Sequence, residues 1–176
     1  MATIKYKKIK EFFTKQELNV YQRYCYVELD RNTYKIDSQS FSAGWYSDSL
    51  MNALLYDKLS RVEKESGLKL FPTYAYWRYY VFGATLKEHT DRPSCEISIT
   101  ACIKKYDKWP ITIEGKSFEL DEGDALLYAG CDQKHSRPGV YNGEGMAQVF
   151  LHYVNQIGPY KHHAYDQIER NEIQNG

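Results

Sequence analysis

Short β-rich runs fill the second part of the chain, and they constrain its fold more than any other feature. After Leu68 the sequence contains "YAYWRYYVFG", "CEISITACI", "WPITIEG", "SFEL", "DALLYAG" and "MAQVFLHYV". Glycine, proline, aspartate and asparagine separate these runs, as is typical of turns between strands. No helix-length segment lies between them, which argues against the crossovers of a parallel sheet. The pattern therefore predicts an antiparallel sandwich or jelly roll.

The first third of the chain is predicted to be largely helical. Thr14 and Glu17 fit a capping box, in which each side chain satisfies a backbone N–H of the first turn. A second helix is predicted from Ser49 to Glu65, with Gly67 able to supply a left-handed cap. Between the two helices, the polar stretch "DRNTYKIDSQSFSAGWYSDS" predicts a loop.

A chain of 176 residues is long enough for one domain with a full core. We expect residues 1–176 to form that single domain, with mainly β structure and helices packed on one sheet. Residues 1–68 would provide the helical support, 69–160 the jelly-roll core and 161–176 a polar tail.

Charge and cysteine usage narrow the classes of partner. Lys and Arg together number 23, as do Asp and Glu, so the net charge is zero. This balance gives no electrostatic case for binding nucleic acid or a membrane. The four cysteines form no C-x-x-C pair, and no signal peptide or long apolar run is present. We therefore expect a reducing, cytoplasmic location and no structural zinc site.

Two histidines and a carboxylate form the most specific candidate site. His89 and Asp91 follow one strand candidate, and His135 follows another. Two imidazoles and one carboxylate are the ligands of a non-haem Fe(II) site, which leaves the other coordination positions open. The alternative is that all three are solvated loop residues. His152, inside "VFLHYV", is expected to be structural, and the adjacent histidines of the tail are expected to lie at the surface.

Several longer motifs carry a resemblance to a known family. "YYVFGATLKEHTD" resembles a Tyr-x-x-Gly segment followed by His-x-Asp, with Tyr80 and Gly83 in place. "LDEGDALLYAGCDQKHSRPG" resembles a Gly-Asp turn, a strand and a distal histidine, and "QVFLHYV" resembles the closing strand. From about Thr73 to Tyr160 the sequence is similar to the Fe(II)- and 2-oxoglutarate-dependent oxygenases of the prolyl-4-hydroxylase-like branch. It also resembles a bacterial and phage subgroup of that branch.

The resemblance implies a double-stranded β-helix and a metal triad of His89, Asp91 and His135. It implies Fe(II), 2-oxoglutarate and O₂ as cofactor and cosubstrates, with decarboxylation to succinate and hydroxylation of a C–H bond. Related halogenases have a small residue in place of the carboxylate, so Asp91 favours hydroxylation. The substrate would be a peptide, such as a prolyl peptide, or a small molecule. Two alternatives stay open: a cupin-like metalloenzyme that does not use 2-oxoglutarate, and a non-catalytic jelly-roll binding protein.

One departure from the family concerns the cation that pairs with the far carboxylate of 2-oxoglutarate. The family places Arg or Lys about ten residues past the distal histidine, but none occurs from Pro138 to Val154. A buried carboxylate still needs a cationic or multiply hydrogen-bonded partner. Arg137 is the first candidate, and Arg78 and Arg92 are the next.

Polar and aromatic residues around these positions complete the predicted site. Tyrosine occurs 17 times, and its clusters suit either a half-polar cavity or one face of a sheet. Besides Arg137, the predicted cosubstrate residues are Tyr76, Tyr80, Tyr128 and Gln148, with Tyr74 as a further hydroxyl. The predicted substrate-side residues are Arg92, Trp77 and Trp109.

Overall fold

The computed structural model describes residues 4–166, and these contain three α-helices and eleven β-strands. The helices are α1 (Lys15–Arg31), α2 (Ser49–Asp57) and α3 (Leu59–Ser66). The strands are β1 (Lys7–Ile9), β2 (Lys35–Asp37), β3 (Ser42–Tyr46), β4 (Leu70–Tyr80), β5 (Thr85–His89), β6 (Ile97–Lys105), β7 (Ile111–Ile113), β8 (Lys116–Phe118), β9 (Ala125–Tyr128), β10 (His135–Val140) and β11 (Met146–Asn155).

The strands form two antiparallel sheets. The larger sheet has seven strands in the order β1-β9-β6-β11-β4-β3-β2, and the smaller has four in the order β5-β10-β7-β8. Neighbours in each sheet are often distant in sequence, as in a jelly roll. The predicted fold class, mainly β with helices packed on one sheet, is confirmed.

Alternation along β4 separates the two sides of the larger sheet. Successive side chains of a strand point to opposite faces. Tyr74, Tyr76 and Arg78 therefore point between the sheets, where they line a cavity. Ala75 and Trp77 point the other way, into the core that the helices cover. One strand thus supplies both the site and the outer core.

The helices bury the outer face of the larger sheet. Met51, Leu54 and Leu55 of α2 are at most 2% exposed and belong to the same apolar cluster as Trp77. The predicted capping box of α1 is present, because the N–H of Glu17 bonds to the Thr14 hydroxyl and Glu17 accepts from the N–H of Thr14. No helix among residues 4–166 is long and apolar enough to cross a membrane.

The first third of the chain differs from the prediction in two places. The predicted loop contains β2 and β3, and β3 pairs with β4, so part of this segment extends the larger sheet. Alternation in "SAGWY" is weak, since four of its five residues are buried. The predicted second helix is divided at Lys58, whose backbone (φ −86°, ψ −5°) departs from helical values. Its ammonium group binds Glu17 and Asp57 there.

Two strands of the smaller sheet carry the candidate ligands and were not predicted. His89 is the last residue of β5 and His135 the first residue of β10, rather than following strands as expected. Their sequences, "TLKEH" and "HSRPGV", lack the apolar alternation that identifies a strand. The predicted tail includes the short 3₁₀ helix Lys161–His163, in which no residue is buried. Residues 167–176 of that tail lie outside the described part.

Candidate metal centre and its cavity

Strand pairing brings His89 and His135 together. The two residues are partners in the antiparallel β5–β10 pair, and their ring centroids are 4.3 Å apart. Asp91 lies two residues beyond the end of β5, where its N–H donates to the carbonyl of Gly130 at 2.8 Å. The Nε2 atoms of His89 and His135 lie 3.6 and 3.5 Å from the two carboxylate oxygens of Asp91.

Backbone carbonyls determine which nitrogen of each ring faces the cavity. Nδ1 of His89 lies 2.7 Å from the carbonyl of Lys87, and Nδ1 of His135 lies 2.9 Å from that of Gln133. A carbonyl only accepts, so each Nδ1 carries the proton and each Nε2 presents a lone pair toward Asp91. One ligand atom from each of the three side chains lies within 4.8 Å of the others. This is a donor set that can hold one divalent cation.

The two histidines also affect the charge state of Asp91. Burial alone would raise the pKa of Asp91, but contacts with His135 and His89 hold it well below its usual range. The carboxylate is therefore ionised at neutral pH. When Nε2 of each imidazole carries a lone pair, neither ring donates a proton to the carboxylate, so a bound cation would supply the missing compensation of its charge.

A cavity of about 230 Å³ lies between the sheets and is lined by all three candidate ligands. The larger sheet contributes an aromatic wall. Tyr76 stacks on Tyr46 at a centroid distance of 4.1 Å and on Phe150 at 5.9 Å. Tyr74 and Tyr128 also line the cavity, and both are almost fully buried. These tyrosines thus line a cavity that also contains polar residues, which is one of the two places expected for the tyrosine clusters.

Arg137 reaches this cavity as a buried cation whose hydrogen-bonding capacity is largely unused. It is 4% exposed, and its Nη1 donates to the carbonyl of Trp109. Its Nε and Nη2 have no hydrogen-bond partner within residues 4–166. The guanidinium lies over the rings of Tyr80 and Trp109 at 5.6 and 5.3 Å. A buried guanidinium without a counter-charge is costly, so this side chain is placed to receive an anion.

Arg78 lines the same cavity but already has its partners. Its Nη2 lies 2.8 Å from Asp37 and 2.7 Å from the amide oxygen of Gln39. Its Nε donates to the same Asp37 oxygen at 3.1 Å. Burial alone would raise the pKa of Asp37, but the Arg78 charge holds it below its usual value. This pair ties β2 to β4 and leaves Arg78 less available to a ligand.

Arg92 lies at the mouth of the cavity. Its guanidinium is stacked 4.6 Å from the ring of Tyr74, and Nη1 lies 3.0 Å from Asp166. The side chain is 39% exposed, so the arginine is accessible from solvent. It lies at the rim of the cavity, and its substrate-side role stays a prediction.

Four other predicted residues do not line the cavity. Tyr80 and Trp109 lie behind it, in edge-to-face contact at 5.2 Å, and Trp109 Nε1 donates to the carbonyl of Pro138. Gln148 points into the interior of the jelly roll, where it accepts from the Thr100 hydroxyl at 3.3 Å. Trp77, the fourth, lies outside the cavity because it points away from it.

Trp77 was expected on the substrate side, and the structure places it on the opposite face of the sheet. It is fully buried and stacked on Trp45 at a centroid distance of 3.7 Å. The reason is the two-residue period of β4: Tyr76 and Arg78 face the cavity, so the residue between them cannot. Its role is in the core under the helices.

His152 is a cavity residue that the sequence interpretation treated as structural. It is 5% exposed, lines the cavity and contacts the ring of Tyr74 at 4.7 Å. Burial lowers its pKa to about 4, so the ring is neutral at physiological pH. Its two-residue spacing from Phe150 along β11 is the signal that identifies its face.

Comparisons with known proteins identify the fold. No family model matches the sequence, and neither does any curated protein. Solved structures do match. A prolyl-4-hydroxylase from Pseudomonas putida superimposes with a TM-score of 0.68 at 11% identity, covering 88% of this chain and 94% of that one. The α-ketoglutarate-dependent epimerase SnoN of nogalamycin biosynthesis gives 0.73 at 10% identity, covering 85% and 76%.

HygX from Streptomyces hygroscopicus, solved with nickel and 2-oxoglutarate bound, gives a TM-score of 0.67 at 11% identity. The match covers 88% of this chain and 84% of HygX. At these identities the likeness concerns the fold, and the proteins themselves carry out different reactions. The chain has the jelly-roll fold of the Fe(II)- and 2-oxoglutarate-dependent oxygenases.

Proposed function

We propose that the protein is an Fe(II)- and 2-oxoglutarate-dependent oxygenase that hydroxylates a C–H bond of a peptide or small molecule. The observation that carries this proposal is a pairing of two features in one cavity. Three lone-pair donors converge on one point, and Arg137, whose Nε and Nη2 have no hydrogen-bond partner in the described part of the chain, lines the same cavity. A metal-chelating dicarboxylate needs both features, one for each end of the molecule.

His89, Asp91 and His135 would hold the iron. Three protein ligands leave the other coordination positions for the cosubstrate and for O₂. With iron bound, the site supplies the oxidation of 2-oxoglutarate by O₂ to succinate and CO₂, with the second oxygen atom going to the substrate. The carbonyls of Lys87 and Gln133 keep the imidazoles in the tautomer that presents Nε2.

Arg137 would bind the distal carboxylate of 2-oxoglutarate through Nε and Nη2. The rings of Tyr80 and Trp109 hold the guanidinium from behind and exclude water from it. Tyr76 and Tyr128 form the walls beside the cosubstrate. Gln148 would take a supporting place deeper in the interior. In this arrangement Arg137 takes the role that the family gives to an Arg or Lys located further past the distal histidine.

The substrate would enter beside Arg92 and the aromatic wall. Arg92, Tyr74 and Tyr46 surround the mouth, and Tyr46 is 60% exposed. Two neighbours by fold, a prolyl-4-hydroxylase and SnoN, show that this architecture admits both peptide-type and small-molecule chemistry. The substrate of this chain would therefore belong to one of these two classes.

Succinate formation tests the proposal directly. Purified protein with Fe(II), ascorbate, 2-oxoglutarate and O₂ should release succinate slowly without substrate and faster with the right one. His135→Ala and Asp91→Ala should abolish the release and weaken Mn(II) binding. Lys134→Ala, an exposed neighbour, should leave both unchanged. If the triad variants bind metal as well as the wild type does, the proposed iron site is wrong.

Two outcomes would favour the alternatives. Tight Mn(II) binding that 2-oxoglutarate does not affect would favour a cupin-like metalloenzyme. Absence of divalent-metal binding by folded protein would favour a binding module. Incorporation of one labelled oxygen atom from O₂ into the product would identify hydroxylation and distinguish it from epimerisation or ring closure.

A further inference from the structure

A second group of metal-ligand atoms shares Asp91 with the triad. Asp91, Cys95 and His152 each offer one ligand atom, and these atoms lie within 4.8 Å of one another. They come from three separate elements: the turn after β5, the 3₁₀ helix Pro93–Cys95, and β11. All three side chains line the same cavity. Cys95 and His152 are buried, and Asp91 is partly exposed.

Hydrogen bonding determines which nitrogen of His152 is available. The Ser98 hydroxyl donates its single proton to the carbonyl of Cys95 at 3.1 Å. The same oxygen lies 2.9 Å from Nδ1 of His152, and with its own proton on the Cys95 carbonyl it accepts the Nδ1 proton. Nε2 of His152 therefore carries a lone pair. A ligand histidine held through its other nitrogen is the usual arrangement at metal sites.

Cys95 gives this second group a different metal preference. It is a free, buried thiol whose Sγ lies 3.2 Å from the Tyr74 hydroxyl. Thiolate is a soft ligand that selects zinc or Cu(I), whereas two imidazoles and a carboxylate suit Fe(II). One sulfur, one nitrogen and one oxygen with a free fourth position is a ligand number that zinc accepts.

We infer that Asp91, Cys95 and His152 form a second binding position for a thiophilic divalent cation such as zinc. Because Asp91 belongs to both groups, a cation held by Cys95 and His152 takes the carboxylate that His89 and His135 need. The two positions are alternatives, and the chain binds one cation at a time. Zinc held by Cys95 and His152 would take Asp91 away from the iron position. This effect would add to any direct replacement of iron by zinc at the triad. This inference does not depend on 2-oxoglutarate chemistry.

Cadmium titration tests the inference, because cadmium shares zinc's preference for thiolate and its thiolate complexes absorb in the near ultraviolet. Wild-type protein should bind one Cd(II) per chain and develop this absorption. Cys95→Ser should lose the absorption, because the triad that remains contains no thiolate ligand. Cys131→Ser, which changes a thiol outside the cavity, should match the wild type. His135→Ala, which disrupts only the triad, should keep the absorption.

Other results would overturn the inference. It fails if saturated wild type shows no thiolate absorption, or if the absorption survives in Cys95→Ser. Binding of two Cd(II) ions per chain would show independent sites instead of a shared carboxylate. If His135→Ala does not fold, the comparison of wild type with Cys95→Ser and Cys131→Ser decides the matter alone. Circular dichroism of each variant confirms that the fold is kept.

Discussion

Replacement of Arg137 by methionine separates cosubstrate binding from stability. Arg137 is buried, and among residues 4–166 its Nε and Nη2 have no hydrogen-bond partner, so this part of the protein without ligand contains a poorly compensated charge. Methionine keeps much of the length and apolar contact of the side chain but removes that charge. We expect Arg137→Met to lose 2-oxoglutarate binding while the protein without ligand stays as stable as the wild type or becomes more stable.

The magnitudes follow from the contacts. Breaking a buried, hydrogen-bonded charge pair costs about 3–5 kcal/mol. At 1.4 kcal/mol per factor of ten, this loss weakens 2-oxoglutarate binding by roughly two to four orders of magnitude. In the absence of ligand, replacing buried ionic groups by apolar ones is neutral or stabilising by about 1–4 kcal/mol. The lost hydrogen bond to the Trp109 carbonyl offsets about 1 kcal/mol of any gain.

Arg78→Met is the matched control. Arg78 is also buried and lines the same cavity, but it is paired with Asp37. Its removal leaves a buried carboxylate unpaired and should destabilise the protein by about 3–5 kcal/mol. Calorimetric titration with 2-oxoglutarate in the presence of Mn(II), under anaerobic conditions, measures binding, and urea unfolding measures stability. The reasoning is refuted if Arg78→Met abolishes binding and Arg137→Met retains it.

Three further predictions concern the framework of the site. Gly130→Ala should weaken Mn(II) binding at least about tenfold. A Cβ at this position would lie 2.8 Å from Asp91 Oδ2 and 2.5 Å from the carbonyl oxygen of Cys95, so Asp91 would have to move. Unchanged affinity in a Mn(II) titration would contradict this prediction. Thr14→Ala should cost about 1 kcal/mol in urea unfolding through loss of the α1 cap, without affecting Mn(II) affinity. Asp37→Asn should destabilise the protein at pH 7, because Arg78 lowers the pKa of Asp37 against the opposing effect of burial. The pair's contribution is present above the unfolded pKa of about 4 and is lost as the pH falls through the lower folded value, so wild type and variant should converge in acid.

Local signals in the sequence were sufficient for several elements. The capping residues of α1 and the apolar stripe of α2 fix those helices without tertiary information. The jelly roll followed from the short runs after Leu68, since these have strand composition and lack crossovers. β2, β5 and β10 escaped prediction because pairing with neighbours creates them. Their own sequences are polar or interrupted, and β10 even contains Pro138 and Gly139.

Which face a residue occupies was the harder inference. Trp77 was placed on the wrong face, although it lies on a long strand with a clear two-residue period. The two-residue period shows that Trp77 and Tyr76 point to opposite faces of β4. Only the fold shows that the face with Tyr76 lines the cavity. An aromatic strand with both faces buried gives no polar residue to mark its outside, so composition alone could not decide.

The position of Arg137 shows why a cation could be anticipated where the family pattern lacks one. Residues two apart on a strand tend to share a face, and His135 and Arg137 both line the cavity although the β5–β10 register shifts between them. The pairing of His135 with His89 fixes that face, because the two rings must meet Asp91. A cation can therefore come from β10 instead of β11 without moving His89, Asp91 or His135. The requirement is a charge at a given point inside the jelly roll, and the strand that supplies it is free to vary.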